Sequence, residues 1–148
     1  MTFGDEDIDY LLNSKYGRSS TFATLSLLYP NLNYSNEFHE DHIHPRSWFK
    51  PHKLKQKGVP DDKRKFYSDN CDYLSNLQLL EGIKNMEKSS EDFAEWLNKK
   101  FKDDKKGRKE YMRTNYIPEN IDLSFANFED FLSKRKELIR KKLISMLI

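Results

Sequence analysis

The sequence predicts an α+β fold that is mostly helical and contains one small two-stranded antiparallel sheet. Apolar residues recur at helical spacing in four stretches, near the two ends of the chain. Only two short segments, both in the middle, have the composition of strands. A chain of 148 residues has the length of one ordinary domain and can bury a core without disulfides. We therefore expect a single domain over residues 1–148, with helical residues 1–35, a central core at 36–90 and helical residues 91–148.

The N-terminal part predicts two helices. Residues 5–15 carry apolar side chains at helical spacing, and Gly17 supplies a stop signal. A second helical pattern runs from Ser20 to Tyr29 and ends at Pro30, because proline cannot continue the hydrogen-bond ladder. We expect the two helices to pack together.

The middle of the chain predicts two strands separated by a long loop. Residues 31–45, NLNYSNEFHEDHIHP, combine Asn-rich turns with the short aromatic content of an edge strand. Phe49–Asp69 is rich in Lys and has little periodicity, which predicts an exposed loop without regular structure. Leu74–Leu80 is a compact apolar strand, and Gly82 leads from it into a short helix that begins near residue 83 or 84.

The C-terminal part predicts two amphipathic helices. Ser89 and Asp92 form a capping-box-like start for the first, whose apolar face holds Phe93, Trp96, Leu97 and Phe101. Asn127 is a candidate N-cap for the second. The predicted apolar stripe of this long helix consists of Phe128, Phe131, Leu132, Leu138, Ile139, Leu143 and Met146, and its basic residues, Arg135 among them, are expected elsewhere.

Composition limits the environment and the partners. The single cysteine, Cys71, excludes an internal disulfide and a CxxC zinc knuckle, which favours a reducing compartment. The N-terminus is acidic, and no apolar run approaches the roughly 18 residues of a membrane span. We therefore expect a cytoplasmic protein without a membrane partner.

Basic charge is unevenly distributed. The formal net charge is only +2, but Lys and Arg concentrate in residues 50–65 and again in residues 99–113. Such clusters suit a polyanion, because each neutralised phosphate releases counterions. The alternative is a solvated charged face.

Three of the four histidines lie within six positions, as His39, His42 and His44, beside the carboxylates Glu40 and Asp41. A hydrolytic metal site for phosphodiesters needs an oxygen ligand for a hard cation and a base to deprotonate water. Asp41 and His42 supply one of each. Neighbours on a strand point to opposite faces, so we expect a local twist or bulge to turn both toward one site.

The segments DHIHPRS, SNLQLL and KNMEKS, in this order, resemble the HNH, or ββα-metal, nucleases. The resemblance implies that Asp41 is a metal ligand, His42 the general base and Asn85 the second ligand. It also implies that Asn76, at the start of the second strand, holds the loop that carries the base. An oxygen-only ligand set favours Mg²⁺ or Mn²⁺ over Zn²⁺.

Other polar residues near these motifs have open roles. Lys88 lies on nearly the same predicted helical face as Asn85 and either contacts a phosphate or is solvated. His39 and His44 either orient a neighbour, touch the scissile phosphate or are bystanders. The alternative metal site is a zinc site made by His39, His42 and a carboxylate, which would lack the usual closed structural ligand set.

A wider resemblance covers most of the chain. The phrases SSTFATLSLLYPNL, NLQLLEGIKNMEKS, EDFAEWL, NYIP and FEDFLSKRKELIRKKL are similar to the C-terminal HNH region of Gmr-type restriction proteins. The resemblance implies DNA cleavage in bacterial restriction or phage defence, and a nucleotide-hydrolysing domain or subunit as a partner outside this chain. The alternatives are a DNA-binding module whose catalysis is lost or depends on a missing N-terminal domain, and a protein-interaction domain with incidental histidines.

Overall fold

The computed structural model describes residues 4–82 and 90–148. The expected α+β class is confirmed: the described residues form seven helices and one two-stranded antiparallel sheet. In chain order the elements are α1 (Asp5–Leu12), α2 (Ser19–Leu28), β1 (Phe38–His42), α3 (Pro51–Gln56), α4 (Asp61–Asn70), β2 (Leu77–Glu81), α5 (Phe93–Lys100), α6 (Lys105–Thr114) and α7 (Phe128–Leu147). None of the helices in the described ranges is long and apolar enough to cross a bilayer.

The sheet pairs β1 with β2 in a regular register from Phe38 opposite Glu81 to His42 opposite Leu77. Each register position uses one residue from each strand, so the pairing contains no bulge. We expected Asn76 to begin the second strand. It instead ends the 3₁₀ turn Leu74–Asn76, immediately before β2. At this turn the Leu74 N–H donates a hydrogen bond to the Ser14 carbonyl at 2.9 Å, before the β1–β2 pairing starts.

The two N-terminal helices are confirmed, although α1 ends at Leu12 and not near Gly17. Both helices bury their apolar faces in a smaller core cluster, which also includes apolar residues of β2 and α7. After α1 the chain runs antiparallel to the segment before β2 and forms a bridge between Lys15 and Tyr73. This pairing places Tyr16 and Gly17 beside the end of β1.

The prediction of an irregular loop over Phe49–Asp69 is wrong. This part of the chain forms α3 and α4, and it contributes buried apolar side chains to the larger core cluster. Pro51 begins α3, where its missing N–H costs nothing, and acidic residues occupy the first turn of α4. Each helix is short and carries a single fully buried side chain, Leu54 or Tyr67, so tertiary packing and not periodicity stabilises it.

The C-terminal helices are partly as expected. Asp92 caps α5, because its carboxylate accepts the Glu95 N–H at 2.9 Å, whereas Ser89 lies outside the described residues. No sequence pattern predicted α6, which lies in the second basic cluster. In α7, the predicted stripe residues Leu138 and Met146 are exposed.

Arg135 lies in the buried stripe of α7, although its charge led us to expect it on another face of the helix. Its side chain is fully buried, and its guanidinium donates to the backbone carbonyls of Asn115, Leu74 and Ser75 at 2.9–3.3 Å. Burial lowers the pKa of Arg135 from its ordinary value, although the guanidinium stays charged at any physiological pH. The long helix contributes side chains to both core clusters. Between them, Arg135 binds the carbonyl of Asn115, the residue after α6, and two carbonyls of the turn before β2.

We expect Arg135→Ala to lower the free energy of unfolding by about 4 kcal/mol, because it leaves a cavity and three buried carbonyls without their donor. Arg135→Lys should recover only part of this loss, since an ammonium group lacks the guanidinium fork. Chemical denaturation monitored by circular dichroism measures both effects.

Lys134→Ala is the matched control, because Lys134 is exposed on the same helix. Its effect should stay within about 0.5 kcal/mol. An equal effect of Arg135→Ala and Lys134→Ala would contradict the structural role of Arg135.

Candidate active site

Asp41 and His42 are the last two residues of β1, and both are largely buried. Both line one pocket of about 290 Å³, together with Tyr16 and Arg46. We expected a twist or a bulge to turn both side chains toward one site. The register is regular through His42, so no bulge brings them to the same pocket. The pocket instead lies at the end of the strand, where side chains of both strand faces can border the same space.

Asn76 fixes the turn that follows β1. Its side-chain oxygen accepts the His44 N–H at 3.0 Å, and its amide donates to the carbonyls of His44 at 3.2 Å and Cys71 at 2.9 Å. Its backbone carbonyl also accepts the Ile43 N–H at 2.8 Å. The side chain has no solvent exposure. Asn76 therefore ties the chain after His42 to the chain before β2.

His42 is oriented by a carboxylate. Its Nε2 lies 2.7 Å from Oδ1 of Asp72. A carboxylate only accepts hydrogen bonds, so Nε2 carries the proton and the lone pair of the neutral ring is on Nδ1. Burial lowers the pKa of His42 from its ordinary 6.5, against the opposing effect of Asp72. The ring is therefore neutral at pH 7.

Asp72 is a site residue that the sequence analysis missed. No spacing connects it with His42, because the two residues are 30 positions apart and meet only in the folded chain. The segment that bears Asp72 also pairs with the chain after α1. In that pairing the Tyr16 N–H donates to the Asp72 carbonyl at 2.8 Å. The Tyr16 ring packs on the His42 ring with centroids 4.7 Å apart, and the Arg46 guanidinium lies over the Tyr16 ring, 5.3 Å from its centroid.

Asp41 is held by a chain of buried polar groups. The Gln78 amide donates to Oδ2 of Asp41 at 3.0 Å, and the Tyr111 hydroxyl donates to the Gln78 carbonyl oxygen at 2.8 Å. Gln78 is opposite Asp41 in the sheet register and fully buried. Burial raises the pKa of Tyr111, so its hydroxyl keeps its proton. Tyr111 also lines a larger pocket of about 410 Å³ that includes neither Asp41 nor His42.

Glu40 contributes a second carboxylate to the pocket. Its Oε2 accepts the Gly17 N–H at 3.1 Å, and Gly17 has a left-handed backbone with φ +86° that glycine adopts without strain. Its Oε1 is buried and has no hydrogen-bond partner among the described residues. Burial raises the pKa of Glu40 from its ordinary 4.5, against the effect of the Gly17 N–H.

The other two histidines of the motif lie outside this pocket. His44 is fully buried among the aromatic rings of Phe93, Phe128 and Phe131, with centroids 4.7–5.7 Å away, so it cannot touch a phosphate there. His39 is close to half exposed and lies 3.5 Å from the Glu37 carboxylate. Asn85 and Lys88 lie outside the described residues.

The predicted alternative zinc site combined His39, His42 and a carboxylate. The structure places His42 beside a different set of potential metal ligands. Within residues 4–82 and 90–148, the one group of three potential ligands is His42, Cys71 and Asp72, and their ligand atoms all lie within 4.8 Å of one another. His39 is not part of it. Burial raises the pKa of the Cys71 thiol to about 12, and the neighbouring Asp72 carboxylate acts in the same direction.

A comparison of the chain with models of known protein families gives no match, and no curated protein matches it either. The resemblance to HNH nucleases therefore depends on the sequence motifs alone.

We expect Glu40→Gln to raise the melting temperature at pH 7 in EDTA. A carboxyl group whose pKa is higher in the folded protein binds its proton more tightly when the protein is folded. The free energy of unfolding therefore falls as the pH rises from the unfolded pKa to the folded pKa. The substitution removes the buried charge that causes this loss. Differential scanning fluorimetry from pH 4 to pH 8 measures it.

The pH dependence is the diagnostic part of this prediction. The difference between Glu40→Gln and the parent should be largest above the folded pKa and should shrink as the pH falls below 4.5, where the parent carboxyl becomes protonated in both states. Glu37→Gln is the control, because Glu37 is exposed. A constant difference across the pH range would contradict the assigned cause.

Proposed function

We propose that this chain is a metal-dependent endonuclease that hydrolyses phosphodiester bonds of DNA. The observation that carries the proposal is the meeting of Asp41 and His42 at one pocket, with His42 held by Asp72 in the tautomer of a base. Asn76, which fixes the turn after His42, supports the same arrangement.

The proposed base is Nδ1 of His42. A neutral imidazole takes a proton from water only through its lone pair, and the Asp72 carboxylate assigns the proton to Nε2. As the ring accepts a proton, it becomes an imidazolium, and Asp72 stabilises the charge. The lowered pKa of His42 keeps this base available at neutral pH.

The proposed metal ligand is the carboxylate of Asp41, which Gln78 holds through one oxygen. The pocket fits a hard cation, since it adds a buried Glu40 oxygen without a hydrogen-bond partner in the described ranges. A bound Mg²⁺ or Mn²⁺ would supply positive charge where the phosphate accumulates negative charge. Asn85 as second ligand and Lys88 as a phosphate contact stay predictions from the resemblance.

Charge supports a nucleic-acid substrate. Arg46 lines the pocket with a mostly exposed side chain, which lies 3.6 Å from the Asp72 carboxylate and places positive charge at the rim. The two basic clusters lie on α3 and α4 and on α5 and α6. A role in bacterial restriction or phage defence, a cytoplasmic location and a nucleotide-hydrolysing partner domain or subunit follow from the sequence alone and are proposed with it.

Plasmid nicking tests the activity. The purified chain should nick supercoiled DNA in Mg²⁺ or Mn²⁺ and not in EDTA. His42→Ala should reduce the rate by about 10²–10⁴-fold, because it removes proton abstraction. Asp41→Ala should raise the Mg²⁺ concentration needed for half-maximal rate. His52→Ala is the matched control, because His52 is an exposed histidine on α3 and should cut like the parent.

Two results would overturn the proposal. One is a folded parent protein that stays inactive with every divalent metal and DNA substrate, which together with salt-dependent DNA binding would leave a DNA-binding module. The other is a His42→Ala variant that cuts as fast as the parent.

Asp72→Asn tests the orientation of the base. An amide can present either its oxygen or its NH₂ group to Nε2, so the tautomer is no longer fixed. We expect the turnover rate to fall on the order of 10- to 100-fold, with an unchanged half-saturating Mg²⁺ concentration. A shift in Mg²⁺ response without a loss of turnover would instead assign Asp72 to the metal.

A further inference from the structure

His42, Cys71 and Asp72 bring three different donor atoms together next to the proposed active site. A ring nitrogen of His42, Sγ of Cys71 and a carboxylate oxygen of Asp72 all lie within 4.8 Å of one another, and Nε2 is the ring nitrogen that lies 2.7 Å from Asp72. His42 and Cys71 are buried, whereas the Asp72 side chain is 38% exposed and opens the group to solvent. Asp72 is therefore the exposed member of the cluster, and its carboxylate also lies 3.6 Å from Nε of Arg46.

We propose that this cluster is a binding site for Zn²⁺ or a similarly soft divalent cation, and that occupation of the site switches off the base at His42. The binding of the ion stands on the cluster alone. Its inhibitory effect rests on the proposed nuclease function.

The donor set selects the class of cation. A thiolate and an imidazole favour Zn²⁺, and a thiolate is a poor ligand for Mg²⁺, which prefers oxygen. Zinc bonds of 2.0–2.3 Å in a tetrahedron set its ligand atoms roughly 3.5 Å apart. The three atoms need to move by only about 1 Å to meet that geometry, and a water molecule can fill the fourth position. Asp41, which Gln78 holds, is not one of the three ligands.

Asp72 binds as a carboxylate and releases no proton. The coordinated Cys71 thiol loses one proton to solvent, because a bound Zn²⁺ deprotonates it. At His42 the ion takes the place of the hydrogen on Nε2, and the neutral ring then carries its hydrogen on Nδ1. Nδ1 is the proposed base, so a ring in this tautomer has no lone pair there to accept a proton from water.

Cobalt spectroscopy tests the binding without DNA. Co²⁺ replaces Zn²⁺ in such sites, and its bond to a thiolate gives a charge-transfer absorption in the near ultraviolet. We expect the full chain to bind one Co²⁺ with this absorption and to lose it when Zn²⁺ is added, but not when excess Mg²⁺ is added. No absorption at saturating Co²⁺ would overturn the proposal.

Variants identify the ligands. Cys71→Ser and Cys71→Ala should abolish the thiolate absorption. Both should also weaken Zn²⁺ binding on the order of 100-fold or more, because a direct ligand contributes more to metal affinity than an outer-shell partner. Competition with a chromogenic chelator measures the Zn²⁺ affinity. Circular dichroism and melting curves establish that these variants are folded. His39→Gln should bind like the parent, whereas a loss in this variant would assign the ion to the His39 alternative.

A second measurement tests the switch. Zn²⁺ should inhibit Mg²⁺-dependent nicking at concentrations near its own dissociation constant. Cys71→Ser, with its rate normalised to the zinc-free rate of the same variant, should need about 100-fold more Zn²⁺ for equal inhibition. Unchanged nicking by the zinc-loaded parent would overturn the switch.

The two proposals can fail separately. A cobalt absorption that depends on Cys71 in a protein without nicking activity would overturn the nuclease and support the soft-metal site. Nicking that depends on His42 in a protein without the absorption would overturn the soft-metal site and support the nuclease.

Discussion

The buried guanidinium of Arg135 is the interaction on which the rest of the molecule depends. It joins α7 to the end of α6 at Asn115 and to the turn at Leu74 and Ser75. A charge without water around it is costly unless its hydrogen bonds are made, and here backbone carbonyls accept them. Two of those carbonyls, of Leu74 and Ser75, belong to residues immediately before Asn76 and β2. The long C-terminal helix therefore determines the position of the segment that forms the site.

Asn76 carries this constraint into the pocket. Its amide binds the backbone of His44 and of Cys71, which stand next in the chain to Ile43 and Asp72. One buried side chain thus fixes both the strand end that bears His42 and the turn that bears Asp72. The 2.7 Å contact between these two residues follows from that arrangement. The same proximity places Cys71 beside His42, so a single geometry provides an oriented base and a candidate site for a soft cation.

Local signals predicted the helices that bury several side chains and missed the three that bury only one each. The amphipathic pattern around Phe93 and the long final stripe were recognisable, because several apolar side chains of each face the core. The helices within residues 49–69 bury one side chain each, and their stability comes from packing that no local window contains. Arg135 was predicted outside the stripe for a related reason. A charged side chain is usually exposed unless hydrogen-bond acceptors from distant parts of the chain surround it.

The sequence by itself determined the fold class, the two strands and the candidate residues Asp41, His42 and Asn76, because strand pattern and motif order are local properties. Only the tertiary structure brought Asp72, Cys71, Gln78 and Tyr16 to those residues and moved His44 into the aromatic core. Hydrogen bonds between segments far apart in the chain depend on how the helices pack, and the spacing of residues does not record that packing.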